Sequence, residues 1–229
     1  MDTTLVYLII AIAAGAILLI GGVVVYVLIS GSREKHREVF AAISRRVGGQ
    51  IDSSGIGGPR IVGRCREIPY RIYILSGSQY SAPDLRIEFT GGLPFVLTLQ
   101  AEGLNSRLER LVGFGSGRNI KIGIPEFDER FAVRTTEPEK ARAFFQLPEV
   151  RKSLDEIAAR GGSFLCRGKY AEIIIPLAPP ETSLETKPAA DYVDTDKVVE
   201  LLEVGAFLIA TLEKTAGDCA ENGCGRPGR

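Results

Sequence analysis

The segment from Leu5 to Ile29 constrains this chain most, because 25 consecutive residues carry neither a charge nor a proline. At about 1.5 Å per residue, an α-helix of this length spans roughly 37 Å, which exceeds the ~30 Å hydrocarbon core of a bilayer. Tyr7 and Tyr26 lie near its ends, where interfacial aromatic residues are typical. The segment therefore predicts a single transmembrane helix within an anchor of residues 1–32.

A secretory signal peptide is the alternative interpretation of this segment. Signal peptides start with basic residues, have an apolar core of about 7–15 residues and end at a small-residue cleavage site. The chain starts Met-Asp-Thr-Thr without Lys or Arg, and its apolar run is longer than that core. Both features favour an anchor.

The charges beside the anchor predict its orientation. Basic residues follow the span but do not precede it, at Arg33, Lys35, Arg37, Arg45 and Arg46. The positive-inside rule then places the N-terminus outside and the main domain in the cytoplasm. The predicted location is the bacterial inner (cytoplasmic) membrane, with a single pass. The four cysteines would be reduced thiols in that compartment.

Three small residues share one stripe of the predicted anchor helix, namely Ala11, Gly15 and Gly22. Small residues at such spacing let two transmembrane helices approach closely. Ala and Gly are also common in transmembrane helices generally, so the stripe predicts weak self-association at most.

The remainder of the chain predicts an α+β protein in which the anchor precedes one globular domain of antiparallel strands with packed helices. Five segments follow the anchor: a basic juxtamembrane helix (33–49), an α+β domain (50–177), a Pro-rich linker (178–190), a C-terminal amphipathic helix (191–214) and a disordered tail (215–229). The C-terminal helix cannot span a bilayer, because charged residues leave too short an apolar run.

Alternation of apolar and polar residues predicts the strands of this domain. It occurs in residues 68–75, 85–89, 95–99 and 119–124. Gly91-Gly92 between the second and third of these predicts a short hairpin, because glycine readily adopts positive φ. Cys65 and Cys166 are predicted to be buried thiols in strands.

The second half of the domain carries stronger local signals. Residues 127–134 are predicted to form a strand, and Thr136 with Glu139 has the spacing of a capping box for a helix over 137–146. Pro148 is predicted to open a second helix, and residues 163–177 a closing hairpin around Gly168.

The stretch from Glu126 to Ala141, in which Phe131 and Val133 lead into a helix, is followed by Leu147-Pro148 at the start of the next. This pattern resembles one in uncharacterised bacterial membrane-anchored proteins. The resemblance covers roughly residues 85–177 and implies a strand–helix–helix–hairpin arrangement in a membrane-bound protein. Those relatives often have two transmembrane helices, whereas one is predicted here, and they supply no catalytic residue to carry over.

Charge is balanced over the whole chain but segregated along it. With 28 basic and 28 acidic residues, the chain lacks the basic excess typical of nucleic-acid binding. Residues 33–71 hold nine basic and four acidic residues, whereas residues 172–229 hold five basic and eleven acidic ones. The acidic end either folds back on the basic start or stands away from an anionic membrane.

The candidate nucleophiles and metal ligands have poor sequence contexts. The single histidine, His36, lies among basic residues next to the predicted membrane span, without a neighbouring nucleophile. Cys219 and Cys224 are a C-x4-C pair without the second pair that a structural zinc site requires. A redox or metal role for this pair is therefore the less favoured interpretation.

Two glycine-rich segments and one acidic cluster are the remaining candidates. Residues 113–118 and 54–58 lack the strand-before, helix-after context of a phosphate-binding loop. Glu126, Asp128 and Glu129 could serve acid–base or Mg²⁺ chemistry. Surface carboxylates in a turn are the commoner explanation of such a cluster.

The sequence therefore predicts neither catalytic residues nor a cofactor or metal site. The leading hypothesis is a membrane-tethered, non-enzymatic interaction or scaffold domain whose partners are the lipid bilayer and a protein. The alternatives are a membrane-associated hydrolase that uses carboxylates, and a redox-sensing protein that uses Cys219 and Cys224.

Overall fold

A single antiparallel sheet organises the part of the chain that the computed structural model describes, which is residues 36–54, 58–75, 83–91, 95–101, 117–177 and 192–221. Within these ranges the sheet has nine strands. They are β1 (Gln50–Asp52), β2 (Arg60–Cys65), β3 (Ile68–Leu75), β4 (Asp84–Thr90), β5 (Leu97–Ala101), β6 (Arg118–Ile120), β7 (Phe131–Thr135), β8 (Ser163–Arg167) and β9 (Tyr170–Pro176).

The strands lie in the order β1-β2-β3-β4-β9-β8-β5-β7-β6. The β8–β9 hairpin, predicted to close the domain, is present but lies in the middle of the sheet, with Gly168 in its turn at a φ of 54°. The predicted hairpin between β4 and β5 is wrong, because β4 pairs with β3 and β9 while β5 pairs with β7 and β8. Alternation specifies which face a side chain occupies but does not specify the neighbouring strand.

Five helices accompany the sheet in the described residues. They are α1 (36–47), α2 (Pro125–Arg130), α3 (Pro138–Gln146), α4 (Pro148–Ala158) and α5 (Thr195–Glu221). The long helix α5 packs against β2, β4 and β9 and also contacts α3 and α4. None of these described helices is long and apolar enough to cross a membrane. The predicted anchor, with Ala11, Gly15 and Gly22, lies outside the described residues.

One hydrophobic core contains residues of α1, the sheet and α5, which the sequence analysis had assigned to separate segments. Phe40 and Ile43 of α1 are buried in the same cluster as Ile87 of β4 and Leu208 of α5. Helices α1 and α5, which the sequence assigned to separate segments, therefore pack as parts of the α+β domain.

Helix α5 also ends later than predicted. It continues past Lys214 to Glu221, so residues 215–221 are helical and not disordered. Ala216 is buried, and the Thr215 hydroxyl donates to the Thr211 carbonyl, which extends the helical pattern into the predicted tail.

The segment before β7 is a helix, so the predicted strand over 127–134 is wrong in its first half. Pro125 occupies the first turn of α2, and Phe127 is buried. The Asp128 carboxylate accepts hydrogen bonds at 2.8 Å from the backbone N–H groups of Ile122 and Gly123. These bonds hold the preceding loop against α2 and end β6 at Ile120, short of the predicted Ile124.

The predicted capping box before α3 is wrong as well. Glu137 is the N-cap and makes no side-chain cap bond. Thr136 instead accepts a hydrogen bond from the Val96 N–H at 3.1 Å, next to the pairing of β5 with β7. The Thr136 hydroxyl, which the sequence pattern assigned to the helix cap, therefore bonds to Val96 in a different segment.

Candidate functional site

The two faces of the sheet differ in chemistry. One face presents a row of buried apolar side chains across seven strands: Ile61, Ile72, Ile87, Ile173, Phe164, Leu99 and Val133. Helix α5 lies on this face, because a Cβ atom added at Gly205 would be 2.4 Å from the Phe89 ring and 2.9 Å from the Ile173 Cδ1 atom. The opposite face carries most of the polar side chains of the central strands.

Three polar side chains of the opposite face meet across β3, β4 and β9. Glu172 accepts hydrogen bonds on Oε1 from the Tyr73 hydroxyl and from Arg86 Nη1, both at 3.1 Å. The side chains of Arg86 and Glu172 are only 12% and 7% exposed, so this is a largely desolvated ion pair. Removing one partner of such a pair leaves an uncompensated buried charge.

The guanidinium of Arg86 is only partly satisfied. Its Nε and Nη2 atoms are buried and have no hydrogen-bond acceptor among the described residues. Asp84 has a carboxylate near Nη2, but its Oδ2 atom lies 4.0 Å away, beyond hydrogen-bond distance. A buried donor without an acceptor costs about 1–3 kcal/mol. Tyr73, Asp84, Arg86 and Glu172 are called the Arg86 cluster below.

The electrostatics of the Arg86 cluster keep the Tyr73 phenol protonated. Burial, and then the Glu172 carboxylate, raise the pKa of Tyr73. The phenol therefore remains a hydrogen-bond donor near neutral pH and does not act as a base. On the same face, Arg71 forms a more exposed ion pair with Glu88 at 3.3 Å.

The structure does not bring the predicted acidic candidates into this cluster. Glu126, Asp128 and Glu129 lie in α2, beside the far edge of the sheet, and Asp128 is occupied by the backbone bonds described above. His36 lies in α1. Within the described part of the chain, no group of three or more His, Cys, Asp or Glu side chains is arranged to hold a metal ion.

The cysteines fall into two groups. Cys65 in β2 and Cys166 in β8 are buried free thiols, as predicted. Burial first, and then Glu203, raise the pKa of Cys65 to about 11, and burial also raises the pKa of Cys166. Raised pKa values lower the thiolate fraction, which opposes a nucleophilic role. The side chains of Cys219 and Cys224 lie outside the described residues.

The two glycine-rich candidate loops lie largely outside the described residues. Of residues 113–118, only Gly117 and Arg118 are described, and Arg118 opens β6, as the sequence context predicted. Of residues 54–58, residues 55–57 lie outside the described ranges.

The acidic C-terminal helix folds back on the basic start of the domain. Asp196 pairs with Arg46 at the end of α1, and Glu203 pairs with Arg66 in the β2–β3 turn at 3.0 Å. A third pair joins Glu200 of α5 to Arg160 at 2.6 Å. Of the two arrangements that the charge segregation left open, the described residues adopt the folded-back one.

The Arg86 cluster was not among the sequence candidates. Its members lie far apart in the chain, and only the pairing of β4 with β3 and β9 brings them together. One signal was present in the sequence, because Glu172 interrupts the otherwise apolar run Ala171 to Ile175. A carboxylate in such a strand predicts a buried partner.

Comparison with known proteins gives a fold but no family. No protein-family model matches the chain, and no curated protein sequence matches it. Among solved structures, the mycobacterial trehalose monomycolate transport factor A, TtfA, is similar with a TM-score of 0.52 and 12% sequence identity. The alignment covers 77% of this chain and 95% of that one. At this identity the similarity shows a shared α+β fold.

Proposed function

We propose that this protein is a membrane-tethered, non-enzymatic interaction domain that serves a lipid-transport assembly in a bacterial envelope. The observation that carries the proposal is the fold similarity to TtfA, which extends over 95% of that chain. TtfA is a transport factor for trehalose monomycolate. By analogy, the role proposed for this chain is to bind partners and not to catalyse a reaction.

The chemistry of the described residues supports this assignment over a hydrolase. The most buried carboxylate, Glu172, is engaged by Tyr73 and Arg86, and Asp128 is engaged by two backbone N–H groups. Carboxylates that act as a general acid or base need a pKa adjusted to the task and access to substrate. In this protein both carboxylates already accept hydrogen bonds that stabilise the fold.

Membrane attachment is part of the proposal. The uncharged segment from Leu5 to Ile29 supplies the anchor, and the basic residues after it favour a cytoplasmic domain. Helix α1, which follows the proposed anchor in the sequence, is joined to α5 by the ion pair of Arg46 with Asp196 and so belongs to the folded domain.

Site-specific photo-crosslinking in native membranes tests the proposed interaction. A photoreactive phenylalanine analogue replaces, one at a time, the large apolar side chains that are exposed in the described residues: Ile51, Leu75, Leu147 and Tyr170. The proposal predicts a discrete crosslinked protein from a subset of these positions. A matched set at the exposed polar positions Glu126 and Lys152 serves as the control.

A cysteine-labelling experiment tests the sidedness. Cys65 and Cys166 are buried, so a membrane-impermeant thiol reagent on intact cells reports on the tail cysteines. The proposal predicts labelling only after lysis, whereas a Thr3→Cys variant should be labelled in intact cells. Labelling of the tail before lysis would place the domain outside the cytoplasm.

A further inference from the structure

Five neighbouring side chains are buried on the face of the sheet opposite α5. They belong to β5, β8 and β9 and are at most 7% exposed, namely Thr98, Ser163, Leu165, Glu172 and Ile174. Strand pairing places Thr98 opposite Leu165 and Leu165 opposite Glu172, while Ser163 lies opposite Ile174 in the next row. These five residues are called the Leu165 patch below.

The described helices do not cover the Leu165 patch, because they lie on the other face of the sheet. Helix α5 packs there on side chains of β4 and β9. A Cβ atom added at Gly162 would collide with both Ile157 of α4 and Ile175 of that face. The Phe127 ring of α2 contacts the Phe131 ring of the same face at 4.6 Å, and α1 and α3 contribute to the core cluster on it.

The burial of the Leu165 patch therefore has a separate cause. Leu165 and Ile174 are buried, yet neither belongs to the core cluster of the helix-bearing face. The same face is open toward both edges of the sheet, where Arg71 of β3 is 51% exposed and Asn119 of β6 is exposed. A face without a covering layer is solvated in this way. The burial of the patch requires a contribution from residues outside the described ranges.

We propose that the Pro-rich segment 178–190 docks on the Leu165 patch, with Leu184, its one large apolar side chain, against Leu165 and Ile174. The segment follows directly after β9, which contributes Glu172 and Ile174 to the patch. It is then a packed part of the domain and not the free linker that its composition predicted. This docking goes beyond the protein interaction proposed above and does not depend on it.

Chain length allows this placement. At about 3.3 Å per residue, the chain from Leu177 to Leu184 reaches up to about 23 Å. The row of Leu165 and Glu172 starts five residues back from Leu177 along β9, and β8 lies one strand spacing aside, which gives a distance of about 17 Å. A similar length of chain returns from Leu184 to Tyr192, the next described residue.

Charge favours the same segment. Arg134 of β7, opposite Thr98, and Arg167 of β8 border the patch on its own face. Residues 178–190 carry two glutamates and one lysine, whereas the tail 222–229 carries two arginines and no large apolar side chain. Attraction of the glutamates to the bordering arginines supports the docking of 178–190, and repulsion opposes that of the tail.

Handedness argues against residues 102–116, which connect β5 to β6 in the direction away from β9. Strands β5 and β6 are parallel because both pair antiparallel with β7, and β7 and β8 are parallel because both pair antiparallel with β5. Crossovers between parallel strands are right-handed. The two crossovers differ in both strand direction and lateral direction, so the same hand assigns both to one face. That face is the one on which α3 and α4 lie.

Methyl NMR of the full chain in phosphatidylcholine nanodiscs tests this docking. The proposal predicts nuclear Overhauser effects between the methyl groups of Leu184 and those of Leu165 and Ile174. This readout uses the unmodified protein, so it does not rely on a variant that folds. Absence of both effects would overturn the proposal.

A soluble gadolinium chelate, which relaxes exposed methyl groups, measures the cover directly. Replacement of residues 178–190 by a Gly–Ser segment of equal length should cause loss of protection at Leu165 and Ile174. Ile87, in the core on the helix-bearing face, should stay protected and so reports that the variant is folded. The same replacement of residues 76–82, which join β3 to β4, is the matched control and should leave both patch methyls protected.

A single substitution tests the role of the leucine. Leu184→Ser should expose the methyl groups of Leu165 and Ile174 to the chelate, whereas Leu184→Met, which keeps the apolar volume, should leave them protected. Patch methyls that stay protected without residues 178–190, or that become exposed only when residues 76–82 are replaced, would contradict the docking. None of these results depends on the crosslinking partner.

Discussion

Replacement of Gly205 by alanine tests the docking of α5 on the centre of the sheet. The added Cβ would lie 2.4 Å from two carbons of the Phe89 ring and 2.9 Å from Ile173 Cδ1, so the helix or the ring must move. Overpacking of this kind costs about 1–3 kcal/mol. We expect the upper end of that range, because Phe89 is fully buried and Ile173 is as well.

The same helix supplies a matched control at Gly217, where a Cβ would meet nothing within 4 Å. Alanine in place of a helical glycine gains up to about 1 kcal/mol from helix propensity, and both variants share this gain. The difference between them therefore isolates the steric effect. We expect Gly205→Ala to be about 3 kcal/mol less stable to unfolding than Gly217→Ala.

Urea unfolding of the full chain in nanodiscs, followed by far-UV circular dichroism, measures this difference as a shift of the midpoint. Amide hydrogen exchange in β4 and β9 gives a local readout, because these strands lie under Gly205. If Gly205→Ala unfolds at the same urea concentration as Gly217→Ala, α5 does not pack on Phe89 as described.

Individual contacts give four further predictions. Glu172→Ala should destabilise the fold by about 3 kcal/mol, because it removes the hydrogen-bonded partner of the buried Arg86 and leaves only the Asp84 carboxylate, 4.0 Å away. Tyr73→Phe should cost only about 0.5–1.5 kcal/mol, and urea midpoints of the two variants test the order. Asp194→Ala should lower the urea midpoint, because the Asp194 carboxylate accepts hydrogen bonds from the N–H groups at the start of α5. The hydrogen bonds with Lys197 lower the pKa of Asp194, so this stabilisation is present above the unfolded pKa and is lost as the pH falls through the folded value. Burial raises the pKa of Cys65 from 9.0 to about 11 in the folded protein. Its contribution to stability is therefore fully present below pH 9 and is lost as the pH rises toward 11. In a plot of the urea midpoint against pH, Cys65→Ala should reduce the fall at alkaline pH. Arg66→Ala should cost less than about 1 kcal/mol, because its ion pair with Glu203 is exposed, and the loss should shrink further in high salt.

Local patterns predicted the faces of the strands but not their partners. The alternation in residues 68–75 identified β3, and that in 85–89 identified the inward residues of β4. The pairing of β4 with β9 joins residues about 90 positions apart, and no local pattern encodes it. The strands β1 and β2 were missed, because β1 is three residues long and Gly63 interrupts the alternation of β2.

Competition between local and tertiary bonds explains the errors near α2 and α3. Phe127 and Phe131 fitted a strand pattern, yet Pro125 and the bonds to Asp128 favour a helical turn before β7. Thr136 had the spacing of a cap, yet its hydroxyl bonds to Val96. For Thr136 the deciding residue, Val96, lies in a distant segment, whereas for α2 the deciding contacts lie within the helix and the loop before it.

The Arg86 cluster depends wholly on this long-range pairing. Each of Tyr73, Arg86 and Glu172 occupies an outward position of its own strand, which alone predicts solvent exposure. Only the assembled sheet turns these positions into a buried ion pair. The one sequence feature that could have indicated this buried ion pair was the position of Glu172 within an otherwise apolar strand.

The central claim is that this chain is a membrane-tethered interaction domain, and photo-crosslinking in native membranes tests it most directly. With the photoreactive residue at Leu147 or Tyr170, we predict one discrete crosslinked protein, which is lost when residues 1–32 are removed. The polar control positions should give no such product. Equal, diffuse crosslinking at all positions, or an unchanged product without the anchor, would contradict the claim.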